Sequence, residues 1–248
     1  MGYDRKLTEA AIQEFSTPGY LEEAQLSQLA ALTRREEFRK WLRAERKATG
    51  LLIHGNFEDS FEISPLTYLC ANFPLVYGED GRENIIFLHY FCRGQRHPRR
   101  RYQINAIDIL KSFIGQLLTD KGLAPRFDLG FVDKRYLRRV RGDDFEGLCK
   151  LFVRLLLQLA RIKVIVFCFI DSISDIEMRA LHKDTERLLS TLQAREWENV
   201  PGSRMLFKLL VTDAKATRYA HRYFKPSETI NMEGDDEDHN DDYELDLG

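Results

Sequence analysis

No apolar run in this chain is long enough to cross a bilayer. The longest unbroken one, Val164–Ile170, is far short of the roughly 20 residues a membrane helix needs. The opening residues, MGYDRKLTEAAIQEF, carry no signal-peptide stretch, and the Ser or Thr of a myristoylation pattern falls on Lys6. The expectation is a soluble cytoplasmic chain without a membrane partner, the nucleus left open. Cysteine is sparse. Cys70, Cys92, Cys149 and Cys168 form no C-x-x-C pair, which argues against zinc and disulfide frameworks and for buried, reduced thiols. No internal repeat is visible.

What is present is a core. Of 248 residues, 44% are hydrophobic and 31% charged, which excludes global disorder and leaves room for one large domain or two small ones. The net charge of -2 hides an asymmetry. Nine carboxylates and no Lys or Arg lie in 233–248, so residues 1–232 hold 30 acidic against 37 basic residues, a net of +7. So polar a tail is expected to be disordered.

Hydrophobic periodicity places the elements. A short helix is predicted at Leu7–Phe15, and a long helix or helix pair from Leu21 to Lys47, with Leu26, Leu29, Leu32, Phe38, Trp41 and Leu42 at spacings of three and four. LLIHG (51–55) reads as a buried strand. Ser64-Pro65 is an N-cap with proline at the first helical position, opening a helix to about Phe73. Strands follow at Asn84–Cys92, Lys163–Ile170 and Met205–Val211, with a short fifth at Thr229–Met232. Helices are predicted at Ile104–Leu118, Asp144–Ala160 and Asp184–Ala194. KVIVFCFI is apolar on both faces, as a central parallel strand requires. Such alternation predicts a parallel sheet covered on both sides, with the turns after Gly55, Asp171 and Thr212 meeting at its C-terminal edge, where ligands bind in such folds.

A phosphate-binding loop reads G-x-x-x-x-G-K-[ST] between strand and helix. Here the setting is right and the loop is not. Gly55-Asn56-Phe57-Glu58-Asp59-Ser60-Phe61-Glu62 keeps the first glycine, puts Ser60 at the second, Phe61 at the lysine and Glu62 at the magnesium hydroxyl. Glu58, Asp59 and Glu62 add like charge where phosphates would sit. VIVFCFID ends on Asp171, as a Walker B strand does, though a buried strand ending in a turn Asp gives the same pattern.

The order of these segments resembles a STAND-type P-loop NTPase of the NACHT kind, and is similar to the nephrocystin-like N-terminal domains of fungal multidomain proteins. The segments are FRKWL (38–42), GLLIHGN (50–56), FLHYFCRGQ (87–95), DILKSFIGQLL (108–118), VIVFCFIDSISDIE (164–177) and LLVTD (209–213). The resemblance implies a three-layer α/β P-loop NTPase fold with a five-stranded core in the order fifth–first–fourth–third–second. It would occupy 49–232, after an N-terminal helical segment (1–48) and before the acidic tail (233–248). The family's Walker B turn, D-[AG]-[LI]-D-E, is here Asp171-Ser172-Ile173-Ser174-Asp175, with Asp175 at the water-polarising position. Its sensor strand, often ending Thr-Ser-Arg, here ends Thr212-Asp213-Ala214, without the Arg.

The departures fall on the groups that bind and cleave nucleotide. The expectation is therefore a pseudo-NTPase acting as a signalling or scaffold module through an unidentified protein partner or a second copy, without cofactor. The degenerate pocket is Gly55, Ser60, Phe61, Glu62, Asp171, Asp175 and Thr212, with Asp171 the magnesium residue if the metal is retained. The alternatives are a weak Mg-ATP or ADP switch without turnover, and a nucleic-acid module using two basic clusters, Arg93, Arg96, Arg99, Arg100 and Arg101, and Arg135, Arg138 and Arg139. Aromatic interleaving in these clusters is thin, and solvated loops paired with the acidic tail are favoured over nucleic-acid binding. His54 is expected as a core or loop histidine, and Trp41 and Trp197 as packing residues.

Overall fold

The computed structural model describes residues 3–17, 19, 21–44, 49–57, 63–78, 84–93, 104–177, 182–194 and 196–232. Five strands, β1 (Thr49–His54), β2 (Ile85–Phe91), β3 (Val164–Asp171), β4 (Met205–Asp213) and β5 (Thr229–Asn231), form one sheet. All pairs are parallel, in the order β2-β3-β4-β1-β5. That is the order the resemblance implied. Among the described residues there are eight α-helices: α1 (Arg5–Phe15), α2 (Glu23–Arg34), α3 (Glu36–Arg43), α4 (Pro65–Gly78), α5 (Ala106–Thr119), α6 (Lys134–Arg141), α7 (Phe145–Leu159) and α8 (His182–Ala194). None is long and apolar enough to cross a membrane.

The period-2 alternation of strand side chains divides the interior into two cores. Val166, Cys168 and Ile170 of β3 and Phe207, Leu209 and Val211 of β4 join α5, α7 and α8 on one face. Phe167 and Phe169 of β3, Leu210 of β4, and Leu51 and Ile53 of β1 join α1 to α4 on the other. The N-terminal helices are thus part of a layer that buries the sheet, with Phe38 and Trp41 at 1% and 2% exposure. Phe73 of α4 is the hub of this second core. It lies 5.8 Å from Trp41, 5.0 Å from Phe167 and 5.2 Å from Phe169, ring centre to ring centre. All four cysteines are buried and free, and Trp197 is fully buried against Phe207.

Two differences from the sequence reading have physical causes. The helix expected to stop near Phe73 continues through Pro74 to Gly78. Proline has no N–H for the carbonyl four residues back, that of Cys70, and the buried His89 ring supplies the missing donor from Nε2 at 3.1 Å. Burial holds His89 down to about 4, below its ordinary 6.5, so the ring is neutral and carries its proton on Nε2. The basic stretch 134–141, expected as solvated loop, is helix α6. The Asp133 carboxylate caps it by accepting from the Tyr136 amide at 2.6 Å. Val140 is buried, and the Tyr136 hydroxyl donates to the Gly147 carbonyl at 2.8 Å.

A buried cation sits in the middle of a strand. Lys208, in the middle of β4, is 2% exposed. Its ammonium donates to the carbonyls of Trp41 (2.8 Å), Leu42 (3.1 Å) and Ala44 (2.8 Å). These carbonyls lie at the C-terminal end of α3, where the last turn lacks intrahelical donors and the helix dipole favours a cation; that of Trp41 also accepts from the Thr49 hydroxyl at 3.3 Å. Lys208→Met removes this donor from the part-buried carbonyls of Leu42 and Ala44 and leaves the Trp41 carbonyl with the Thr49 hydroxyl alone. Unfolding free energy is expected to fall by about 2–4 kcal/mol, read from urea denaturation. A loss below about 0.5 kcal/mol, the level of ordinary surface substitutions, would show that the amine does not hold α3 to the sheet.

Candidate functional site

The three turns singled out from the sequence do meet at the C-terminal edge. The Gly55 amide donates to the Asp213 carbonyl (2.8 Å) and the Phe57 amide to the Ala214 carbonyl (2.9 Å), prolonging the β1–β4 ladder into the loop. A Cβ on Gly55 would overlap the Phe57 ring, so glycine here admits the ring. The Asp213 carboxylate accepts from the Ser174 amide (2.6 Å) and the Lys215 amide (2.9 Å), tying the turn after β3 to the turn after β4. Asn56, in the left-handed region (φ 52), donates its side-chain amide to the Met232 carbonyl at 2.7 Å.

At the centre lies Asp171, the last residue of β3 and 1% exposed. One carboxylate oxygen accepts from the Thr212 hydroxyl at 2.7 Å. The other accepts from Thr67 at 2.8 Å and Ser172 at 3.2 Å. Thr67 is itself held by Ser64. The Ser64 hydroxyl oxygen accepts from the Thr67 amide at 3.0 Å and lies 2.9 Å from the Thr67 hydroxyl. Because the Thr67 proton goes to Asp171, the Ser64 proton goes to Thr67. Ser64, Thr67, Asp171 and Thr212 therefore form one buried chain linking the start of α4 to the ends of β3 and β4. Burial pushes the Asp171 carboxyl up to about 6 from 3.8, against the lowering effect of its hydroxyl donors, and Asp213 adds to the rise. Among the described residues, no lysine or arginine side chain bonds it.

Of the predicted pocket, the structure brings together Gly55, Asp171 and Thr212. Asp175 lies just beyond, in a 3-10 turn at Ile173–Ile176, with Arg93 Nε 4.0 Å from its carboxylate. Ser60, Phe61 and Glu62 lie outside the described residues, as do Arg96, Arg99, Arg100, Arg101 and the acidic tail. Arg135, Arg138 and Arg139 sit on α6, which packs against α7, and take no part in the hydrogen bonds of this edge. His54 is buried, between Asn231 (2.9 Å) and Thr217 (3.2 Å), and joins β1 to β5 and the turn after β4.

Spacing alone had put the hydroxyl position at Glu62. The hydroxyl that faces Asp171 belongs to Thr67, further along the chain. Its signal was Ser64-Pro65-Leu66-Thr67, a cap whose third following residue also carries a hydroxyl. Glu177, also missed, is 2% exposed. Its carboxylate accepts from the amides of Arg218 (2.6 Å), Tyr219 (3.2 Å) and Ala220 (2.6 Å), fixing the segment after β4.

The magnesium that a P-loop relative would hold does not fit these residues. Both Asp171 oxygens are engaged by hydroxyls, and burial raises its affinity for a proton, opposite to what a cation site needs. No family model matches the chain, and no curated protein matches it. The resemblance to NACHT-type domains stands on the sequence segments alone.

Two substitutions probe the edge. A carboxyl with a raised folded-state pKa contributes its stability in full below 3.8 and loses it as pH rises through about 6. Asp171→Asn keeps hydroxyl partners, because each hydroxyl both donates and accepts. At pH 7.5 the variant is expected to be more stable than the parent by up to about 3 kcal/mol, and near pH 4 the gain disappears. Chemical denaturation at the two pH values checks this. The variant is compared with its parent at each pH, since neutral His89 acts in the opposite sense over the same range. Equal stability at both pH values would mean that the carboxylate is not penalised. Glu177→Ala is expected to cost about 3 kcal/mol by orphaning three amides, and Glu177→Gln less. Identical losses for the two would remove the hydrogen-bonding account.

Proposed function

We propose that this chain is a non-catalytic, NACHT-like relative of the P-loop NTPases, working as a signalling or scaffold module through protein–protein contacts. The observation that carries this reading is the closed Ser64–Thr67–Asp171–Thr212 chain. Phosphoryl transfer depends on backbone amides and a lysine around the phosphates, and on a hydroxyl and an acid that share magnesium. Here the amides of Thr67 and Tyr68 are taken by Ser64. The hydroxyl and the acid are taken by each other. The residue before the hydroxyl, the place of the lysine in G-K-[ST], is the fully buried Leu66. At the strand end of the loop, the Gly55 and Phe57 amides face neighbouring carbonyls. A frame of this kind, with its ligand groups satisfied internally, supports recognition by surface rather than turnover.

A thermal-shift titration with Mg-ATP and Mg-ADP to millimolar concentration, paired with a phosphate-release assay, tests the reading. No shift and no release are expected. A ligand at a hundredfold excess over Kd stabilises by about 2.7 kcal/mol, several degrees for a domain of this size. A saturable shift of that order would overturn the closed-site reading and make the chain a nucleotide-binding switch. Phosphate release abolished by Asp175→Asn would make it an enzyme.

A further inference from the structure

Helix α6, Lys134–Arg141, reads KRYLRRVR and holds five cations and no carboxylate. At 100° per residue, Arg141, Lys134, Arg138, Arg135 and Arg139 fall within one arc of about 160°. Tyr136 and Val140 lie on the opposite side, tied to the Gly147 carbonyl and buried in the core. Arg139 pairs with Asp144. Among the described residues, Lys134, Arg135, Arg138 and Arg141 are exposed and none is paired with a carboxylate. Like charges three and four residues apart destabilise a helix, so this stripe favours an anionic cover.

We propose that the cationic face of α6 is the docking surface for this chain's own acidic segment, residues 233–248. The charges are complementary: nine carboxylates and no Lys or Arg in sixteen residues, against four uncompensated cations in one stripe. The ends are placed for it. Met232 leaves the sheet beside the C-terminal end of β1, its amide on the His54 carbonyl at 2.8 Å. Helix α7 feeds β3 through the short turn 160–163 and runs antiparallel to it, so Phe145 lies toward the same edge, and only residues 142–144 separate it from Arg141. Crossing from β5 to β2 takes about 19 Å at four strand spacings, and the helical layer adds about 10 Å. Sixteen extended residues reach about 53 Å.

A nucleic acid fits the face less well. Tyr136, the one aromatic of α6, stands edge-on to Phe131 with its hydroxyl engaged, so the helix offers no stacking platform. Tethering places the acidic segment at an effective concentration near millimolar, which lets individually weak exposed pairs act together. Docked in this way, the segment masks α6 from acidic partners in trans and yields to them by competition.

Zero-length carbodiimide crosslinking of the full chain, followed by peptide mass spectrometry, tests the proposal. The expected product joins Lys134 to a carboxylate between Asp235 and Asp246 within one chain. It is independent of protein concentration and is lost at about 1 M salt, where screening falls to roughly 3 Å. It is also lost in Arg135→Glu/Arg138→Glu. Should that variant not fold, a second measurement decides. The full chain with its nine tail carboxylates replaced by Asn or Gln should bind a fluorescent peptide of residues 233–248 at least about tenfold more tightly than the intact chain does. Tail crosslinks that avoid Lys134, or that join different chains in an isotope-mixed sample, would overturn the proposal. So would a neutralised-tail chain that binds a DNA duplex and not the peptide.

Discussion

A parallel sheet has two faces, and in this protein neither can be left to water. The central strands β3 and β4 are apolar on both sides, so the chain must supply a helical layer for each. The helices that follow β2 and precede β3 cover one face, with α8 beside them. The other has only α4 among the helices between strands, and α4 is too narrow to cover it. The N-terminal helices complete that layer, and Phe38, Trp41, Leu29 and Leu32 are buried with the strand residues as a result. Lys208 follows from the same constraint. Where α3 ends over the middle of β4, its carbonyls point into the sheet, and a strand residue with a long cationic side chain satisfies them.

The C-terminal edge obeys a related rule, since polar groups brought there by parallel topology need either a ligand or one another. Here they have one another. Asp171 draws three hydroxyls, from β4, from α4 and from the turn after β3, Asp213 fixes that same turn, and Glu177 gathers three amides. The outcome, among the described residues, is an edge tied by its own hydrogen bonds. The arrangement keeps a cost in Asp171, whose burial favours its neutral form.

Most of the architecture was legible because its signals are local and repetitive. The apolar run of β3, the shorter apolar runs of the other strands and the three-and-four spacing from Leu26 to Leu42 each name an element, and the alternation of strands with helices names a parallel sheet. Helix α6 escaped because it is only eight residues long and its five cations mask a pattern of three residues, Tyr136, Leu137 and Val140, that spans little more than one turn. The length of α4 escaped because Pro74 looks like a stop, and what lets the helix continue is a histidine from another strand. Thr67 escaped because a motif spacing was applied to a loop of a different length, and the partner that identifies the hydroxyl lies more than a hundred residues away in sequence.

By itself the sequence determined the class of fold, the element order, the split between a basic body and an acidic tail, and the candidacy of Gly55, Asp171 and Thr212. Each follows from composition, periodicity or adjacency along the chain. Tertiary structure decided which groups answer one another: Lys208 with the end of α3, His89 with the carbonyl that Pro74 leaves open, and Thr67 with Asp171. These are pairings between elements distant in sequence. A buried polar group is specified by the partner that offsets its lost hydration, and that partner is known only once the chain has folded.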